Sequence, residues 1–205
     1  IMKKIYPIID KDFLKKNNFH IMVHFLIKNN INMVQIRVSK PYTYKLLKKI
    51  LLVKKICKKN NCKFIINNDL LIAKFLNADG VHIGQNDSSP LMARKILGSN
   101  KIIGVSCGNN MRIASTYTNP YVKYISFGSA FKTKTKKNIK VLKISNVYDY
   151  KLDSETKTCI IGGINANNLS DKILNKFDLI AMSSAIRKIP DIIKINKLYK
   201  KFCNE

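Results

Sequence analysis

The segment FIINNDLLIAKFLNADGVHIGQND, residues 64–87, decides how this chain is read. Two short apolar runs, 64–66 and 80–84, each lead into a polar cluster, Asn67-Asn68-Asp69 and Gln85-Asn86-Asp87. Polar groups carried just past the ends of apolar strands are how α/β folds build their sites. If the residues between the runs form a helix, the two strands lie parallel, because that connection is a crossover. Asn67, Asn68 and Asp87 then open on the same face and can share one phosphate–metal site.

Working outward, apolar runs bounded by turn residues give eight strand candidates: 4–9, 33–38, 63–67, 80–84, 101–106, 123–128, 158–163 and 179–183. Helical spacing fills most of the intervals, at 12–29, 43–59, 69–76, 88–97, 109–117, 165–176 and 189–202. Eight alternations predict an α/β chain closed into a (β/α)8 TIM barrel, lean at 205 residues. An open doubly wound sheet shares the same periodicity and is the structural alternative. No linker-like stretch divides the chain, so residues 1–205 are expected to form a single domain.

The net charge of +26 resembles a nucleic-acid signature at first sight. Of 38 basic residues, however, only Arg37, Arg94, Arg112 and Arg187 are arginine, and the 34 lysines are spread along a chain rich in Asn and Ile. These three residue types share AT-rich codons, so genome composition accounts for most of the charge, and no specific nucleic-acid partner is expected. No apolar run approaches the roughly 20 residues that span a bilayer, and IMKKIYPIID at the start lacks a cleavage pattern. A cytoplasmic protein without a membrane partner is the expectation. Five cysteines, Cys57, Cys62, Cys107, Cys159 and Cys203, form no CxxC pair and read as reduced thiols. His20 and His24 share a helix face but lack a third metal ligand, and read as surface residues.

A barrel would bring the polar residues at its strand ends onto one rim. Gln35 and Arg37 follow the second strand, Asn67 and Asn68 the third, Asp87 the fourth and Ser106 the fifth. Thr133, Thr135 and Lys136 follow the sixth, Gly162 and Gly163 the seventh, and Ser183 and Ser184 the eighth. Thr133-Lys134-Thr135-Lys136 combines hydroxyl donors with mobile cations, as an oligophosphate requires, although a solvated lysine loop is the plainer reading. The two Gly-Gly and Ser-Ser pairs fall where (β/α)8 barrels cradle phosphate, yet a tight turn or helix cap explains either alone. Asp87 suits a Mg²⁺ ligand or a helix cap equally. Arg37 is harder to dismiss, since an inward guanidinium in an apolar strand needs an anionic partner. Ser106 could contact a ligand or close a turn.

Taken together, QIRVSK (35–40), INND (66–69), ADGVHIGQND (78–87), GVS (104–106), FGSAFKTKTK (127–136), IGGI (161–164) and MSSAI (182–186) resemble the thiamine phosphate synthase family, from Tyr6 to Ile186. The resemblance implies a (β/α)8 barrel that joins hydroxymethylpyrimidine diphosphate to a thiazole phosphate, with Mg²⁺ as cofactor and pyrophosphate as the second product. Carried over by position, Gln35, Arg37, Ser39, Asn67, Ser106 and Lys136 correspond to pyrimidine diphosphate ligands, Arg37 and Lys136 among them being catalytic. Thr133, Thr135, Gly163, Ser183 and Ser184 correspond to the thiazole phosphate cradle, and Asn68 and Asp87 to the metal ligands.

Two positions depart from the family pattern. Asn68 stands where the family has an aspartate, with Asp69 one residue later, and Ser39 stands where QxRxK has its lysine, with Lys40 one residue later. Weaker Mg²⁺ binding is expected from the first. A catalytically weakened phosphate-ligand-binding barrel is therefore one alternative. A thiazole tautomerase-like isomerase is the other, disfavoured because Gly108 occupies the position of that branch's histidine. The sequence leaves a homo-oligomer open.

Overall fold

The computed structural model describes residues 4–117, 121–132, 141–144, 147 and 155–202. Eight parallel strands close in sequence order into one barrel. They are β1 (Ile5–Asp10), β2 (Met33–Arg37), β3 (Lys63–Asn67), β4 (Gly80–Ile83), β5 (Ile102–Gly108), β6 (Tyr124–Phe127), β7 (Lys157–Ile161) and β8 (Leu179–Met182). Closure is made by β1 pairing with β8, Ile5 opposite Ile180 and Tyr6 opposite Ala181. The open-sheet alternative is thereby excluded.

Outside the strands lie α1 (Lys11–Lys15), α2 (Phe19–Lys28), α3 (Tyr44–Lys59), α4 (Leu70–Phe75), α5 (Pro90–Leu97), α6 (Met111–Thr116), α7 (Asp171–Lys176), a 3₁₀ turn (Ser184–Ile186) and α8 (Ile189–Phe202). Side chains positioned just before the helices set where many of them begin. The Asp10, Thr43, Asp69, Ser89, Asn110 and Ser170 side chains each accept a backbone N–H from the first turn of α1, α3, α4, α5, α6 and α7.

Two expected helices are shorter than their periodicity predicts. The 12–29 pattern is broken between α1 and α2, where Lys16 turns extended (ψ 138°) and its N–H closes on the Phe13 carbonyl. In 165–176 only the second half is helical. Asn165 and Asn168 side chains instead satisfy nearby backbone, Asn168 Oδ1 accepting from Asn165 N–H and both carboxamides donating to the Gly163 carbonyl. Such local side-chain bonds compete with the helix ladder.

Strand alternation divides the core in two. Ile5, Ile9, Phe64, Ile66, Ile125 and Phe127 pack outward under the helices, while Tyr6, Ile8, Met33, Ile65, Tyr124, Cys159, Leu179 and Ala181 fill the barrel. The four described cysteines are free and buried, and His20 and His24 are exposed. No helix among the described residues is long and apolar enough to cross a membrane.

A chain of hydrogen bonds crosses the barrel interior. Gln35 Nε2 donates to Tyr6 Oη at 2.9 Å, Tyr6 and Tyr124 hydroxyls lie 2.9 Å apart, and Tyr124 Oη is 3.0 Å from His82 Nδ1. The two tyrosine rings meet edge to face at 5.7 Å. Room for Tyr124 comes from Gly104 on the neighbouring strand, where a Cβ would sit 2.0 Å from the ring's Cζ. Gly104→Ala is therefore expected to cost about 2–3 kcal/mol through overpacking, read as a lower urea midpoint. An unchanged midpoint would mean that Tyr124 does not occupy the barrel centre.

Candidate active site

Because successive strand residues face opposite sides, Gln35 and Arg37, Asn67, His82, Ser106, Ser126, and Ala181 followed by Ser183 all fall on the inward parity of their strands. They line one cavity of about 550 Å³ at the C-terminal mouth, together with Asn68, Asp87, Gly163 and Ser184. A second, outer cleft of about 740 Å³ shares Arg37, Asn67 and Asn68 with it and continues past Ser39, Lys40, Asp69, Asp10 and Arg187. The structure thus brings most of the sequence-predicted residues to one place and sets Ser39 on the outer side. Thr133, Thr135 and Lys136 lie outside the described residues.

Arg37 ends β2 half-buried, and its guanidinium makes no hydrogen bond or ion pair with any described residue. An inward cation without a protein counter-charge is prepared for an anion. Asp87 faces the same cavity. It does not cap α5, which Ser89 does; its Oδ2 instead accepts the Gly84 N–H at 2.7 Å, closing the turn after β4. Asn68 is held at φ 65°, a conformation asparagine tolerates better than most residues, and its N–H bonds to the His82 carbonyl at 2.7 Å.

The two neighbouring residues that could have replaced the family's aspartate and lysine are committed elsewhere. Asp69 accepts the Ile72 N–H at 3.0 Å and the Tyr42 hydroxyl at 3.1 Å, with Lys40 Nζ at 3.6 Å. Burial and the adjacent Asp69 charge push Tyr42 up to about 12. Neither Asp69 nor Lys40 lines the inner cavity.

Opposite Arg37, the ends of β7 and β8 form the other wall. Gly162 and Gly163 have φ of 107° and 65°, and a Cβ would lie 2.1 Å from Ser129 Oγ at the first and 2.6 Å from the Lys132 carbonyl at the second. The glycine pair is thus required by the chain itself, which packs residues 129–132 against it. Ser183 Oγ donates to Asp10 Oδ2 at 2.7 Å, and Arg187 Nη2 reaches the same oxygen at 2.5 Å, tying the end of β1 to the loop after β8. Burial works to raise the Asp10 carboxyl, but the Arg187 guanidinium, the Ser183 hydroxyl and the Phe13 N–H together hold it below its ordinary value.

Beneath the cavity runs the Gln35–Tyr6–Tyr124–His82 chain, of which Gln35 and His82 line the cavity, with the His82 and Tyr124 ring centroids stacked 5.6 Å apart. Burial pushes both tyrosine hydroxyls upward, so the two phenols stay protonated at neutral pH. Regular alternation turns Ser106 to the cavity in register with Ser126, and a bulge follows between Ser106 and Gly108 on β5; Cys107 there packs with the outer core, where burial raises the thiol to about 12. Sequence reasoning missed Tyr6, His82, Tyr124 and Ser126. Their signal was inward parity on strands already recognised, which becomes a site only when the sheet closes.

A family model described as thiamine monophosphate synthase matches residues 5–186. The chain belongs to that family. Its similarity to the thiamine-phosphate synthase of Pelagibacter ubique is 35% identity over 205 residues, covering 97% of each chain. With the synthase of Clostridioides difficile it is 35% identity over 191 residues, covering 93% of this chain and 90% of the other. Among solved structures, thiamine phosphate pyrophosphorylase from Pyrococcus furiosus superimposes with a TM-score of 0.80 at 23% identity, over 98% of this chain and 96% of that one. That likeness shows the shared barrel.

The lowered Asp10 carboxyl sets the sign of a pH effect. Its contribution to stability is fully present above the ordinary value of 3.8 and is lost as pH falls below it toward the folded-state value. Asp10→Asn is expected to flatten the acid limb of the stability profile, measured as urea midpoint between about pH 5 and pH 2.5. An acid limb as steep as wild type's would show that Asp10 does not carry this linkage.

Proposed function

We propose that this chain is a transferase that condenses hydroxymethylpyrimidine diphosphate with a thiazole phosphate to give thiamine phosphate and pyrophosphate. The observation that carries the reading is Arg37, an inward guanidinium without a protein partner among the described residues, facing Asn67, Asn68, Asp87 and Ser106 across one cavity. Membership of the thiamine monophosphate synthase family supplies the substrates.

The reaction is read as dissociative. The bond between the pyrimidinylmethyl carbon and the diphosphate oxygen breaks, its electron pair leaving with pyrophosphate, and the thiazole nitrogen lone pair captures the resulting pyrimidinylmethyl cation. Arg37 and Lys136 hold the departing pyrophosphate, and Gln35, Ser39, Asn67 and Ser106 bind the pyrimidine diphosphate. Thr133, Thr135, Gly163, Ser183 and Ser184 hold the thiazole phosphate. Placing donors where charge develops is the main catalytic contribution, and the apolar walls limit capture of the cation by water. No protein nucleophile takes part.

The donor set suits Mg²⁺. Asn68 and Asp87 offer hard oxygens to the inner cavity, the Asn68 carboxamide and the second Asp87 oxygen making no hydrogen bond among the described residues. No cluster of three or more His, Cys, Asp or Glu is present among those residues, which matches an ion that takes one or two protein ligands and completes its shell with water and phosphate oxygens. When bound there, Mg²⁺ neutralises charge on the leaving diphosphate. Both substrates are polar phosphorylated metabolites, so the reaction is placed in the cytoplasm, with no nucleic acid or membrane partner.

A second reading rests on Asn68 and on the commitment of Asp69 and Lys40 outside the cavity: a barrel that binds phosphorylated ligands but turns over poorly. The test is formation of thiamine phosphate by the purified chain from both substrates with Mg²⁺, against a control without thiazole phosphate. Product favours the synthase; ligand binding by folded protein without product favours the weakened barrel.

Arg37→Ala is expected to lower kcat/KM about 10²-fold or more, and a loss below about threefold would remove Arg37 from the diphosphate site. Asn68→Asp restores one negative charge and is expected to lower the Mg²⁺ concentration for half-maximal activity on the order of tenfold. Identical Mg²⁺ titrations would show that residue 68 is not a ligand.

A further inference from the structure

The inner cavity holds a polar side chain to which neither the family motifs nor the mechanism above gives a task. Ser126 lies on β6 two residues beyond Tyr124, on the same inward face, and therefore roughly 7 Å above it. It pairs in register with Ser106 on one side and Cys159 on the other. The residue is 2% exposed, its Oγ has no hydrogen-bond partner among the described residues, and it lines the cavity. Buried hydroxyls are nearly always paired, and an orphan calls for an explanation. Here no described residue supplies the atom that would pair with it.

Depth limits what that atom can be. The charged and hard-oxygen groups, Arg37, Asn68 and Asp87, sit at the strand ends, so a diphosphate is held at the rim. The part of the substrate that descends toward His82 and the buried Tyr124 hydroxyl behind it is the aromatic ring. Below the rim the wall offers Gln35, His82, Ser106 and Ser126 beside apolar Ile8 and Ala181; Gln35 already spends a donor on Tyr6, His82 faces Tyr124, and Ser106 is half-buried where Ser126 is fully buried. A hydroxyl can both donate and accept, which matches the edge of an aminopyrimidine, where ring nitrogens accept and the exocyclic amine donates.

Resting on the functional reading above, we propose that Ser126 is a specificity-determining residue for the pyrimidine ring, its buried hydroxyl completed by a hydrogen bond from or to the ring's polar edge. Such a group discriminates strongly, because an analogue without the polar edge leaves the hydroxyl unpaired in the complex. It contributes nothing to the recognition of phosphate.

The test is calorimetric titration of wild type and Ser126→Ala, each as the full chain with Mg²⁺, using hydroxymethylpyrimidine diphosphate and inorganic pyrophosphate as separate probes. One neutral hydrogen bond corresponds to about 3–10-fold in affinity. The expected result is that weakening for the pyrimidine diphosphate, no change for pyrophosphate, and a melting temperature no lower than wild type's, since the substitution removes an unpaired buried hydroxyl. Equal affinity of both proteins for the pyrimidine diphosphate overturns the assignment of Ser126 while leaving the functional reading intact. Parallel weakening for both probes also overturns it, since the effect would then not belong to the ring. Wild type that binds pyrophosphate but shows no added affinity for the pyrimidine diphosphate overturns the functional reading and the assignment with it.

Discussion

The hydrogen-bond chain Gln35–Tyr6–Tyr124–His82 is the constraint on which the rest of the site depends. It links β2, β1, β6 and β4 through the barrel interior, so a displacement of any one of these strands would leave buried polar groups unpaired. Two tyrosines are large enough to close the interior only because Gly104 gives up its side chain to the Tyr124 ring. Above this plug the inward positions carry small or polar side chains, Ser106, Ser126, Gly128 and Ala181, and a cavity opens. Below it the interior is filled by Met33, Ile65 and Leu179.

Charge is distributed to suit. The two tyrosine hydroxyls beneath the cavity stay protonated at neutral pH, and the rim holds Arg37 without a protein counter-ion among the described residues. The other arginines near or beneath the rim are engaged: Arg187 with Asp10 and Asp12, and Arg94 with four backbone carbonyls. Of these, Arg37 is the one left for a ligand. The overall charge of +26 adds a diffuse attraction for anionic substrates, and the proposed orientation, diphosphate at the rim and ring below, rests on the position of Arg37 above the buried tyrosine hydroxyls.

The strands were legible because each is a short apolar run ended by a turn residue, and many helix starts because they begin at a capping side chain. The break between α1 and α2 was not, because it is the extended backbone of Lys16 that interrupts an otherwise helical pattern, nor was the length of α7, because Asn165 and Asn168 use side-chain bonds to nearby backbone that periodicity does not reveal. Asn67, Asn68 and Asp87 could be placed together from one segment, since β3 and β4 are adjacent strands. Tyr6 and Tyr124 could not, because their partners are far away in sequence, the two hydroxyls meeting across 118 residues, and Ser126 could not, because its place on the cavity wall follows only from closure of the barrel. The commitments of Asp69 to Tyr42 and of Lys40 to Asp69 were equally invisible, since a one-residue displacement at a strand end moves a side chain to the other face.

The account's central claim is that the inner cavity, rather than the larger outer cleft, receives the pyrimidine diphosphate with its ring toward His82. A crystal structure with Mg²⁺, pyrophosphate and a non-reactive pyrimidine analogue tests it most directly. The account predicts the ring against Tyr124 and His82, beneath Ser126, and pyrophosphate beside Arg37, Asn68 and Asp87. Pyrophosphate seated against Lys40 and Asp69 in the outer cleft, with the inner cavity holding only water, would contradict it.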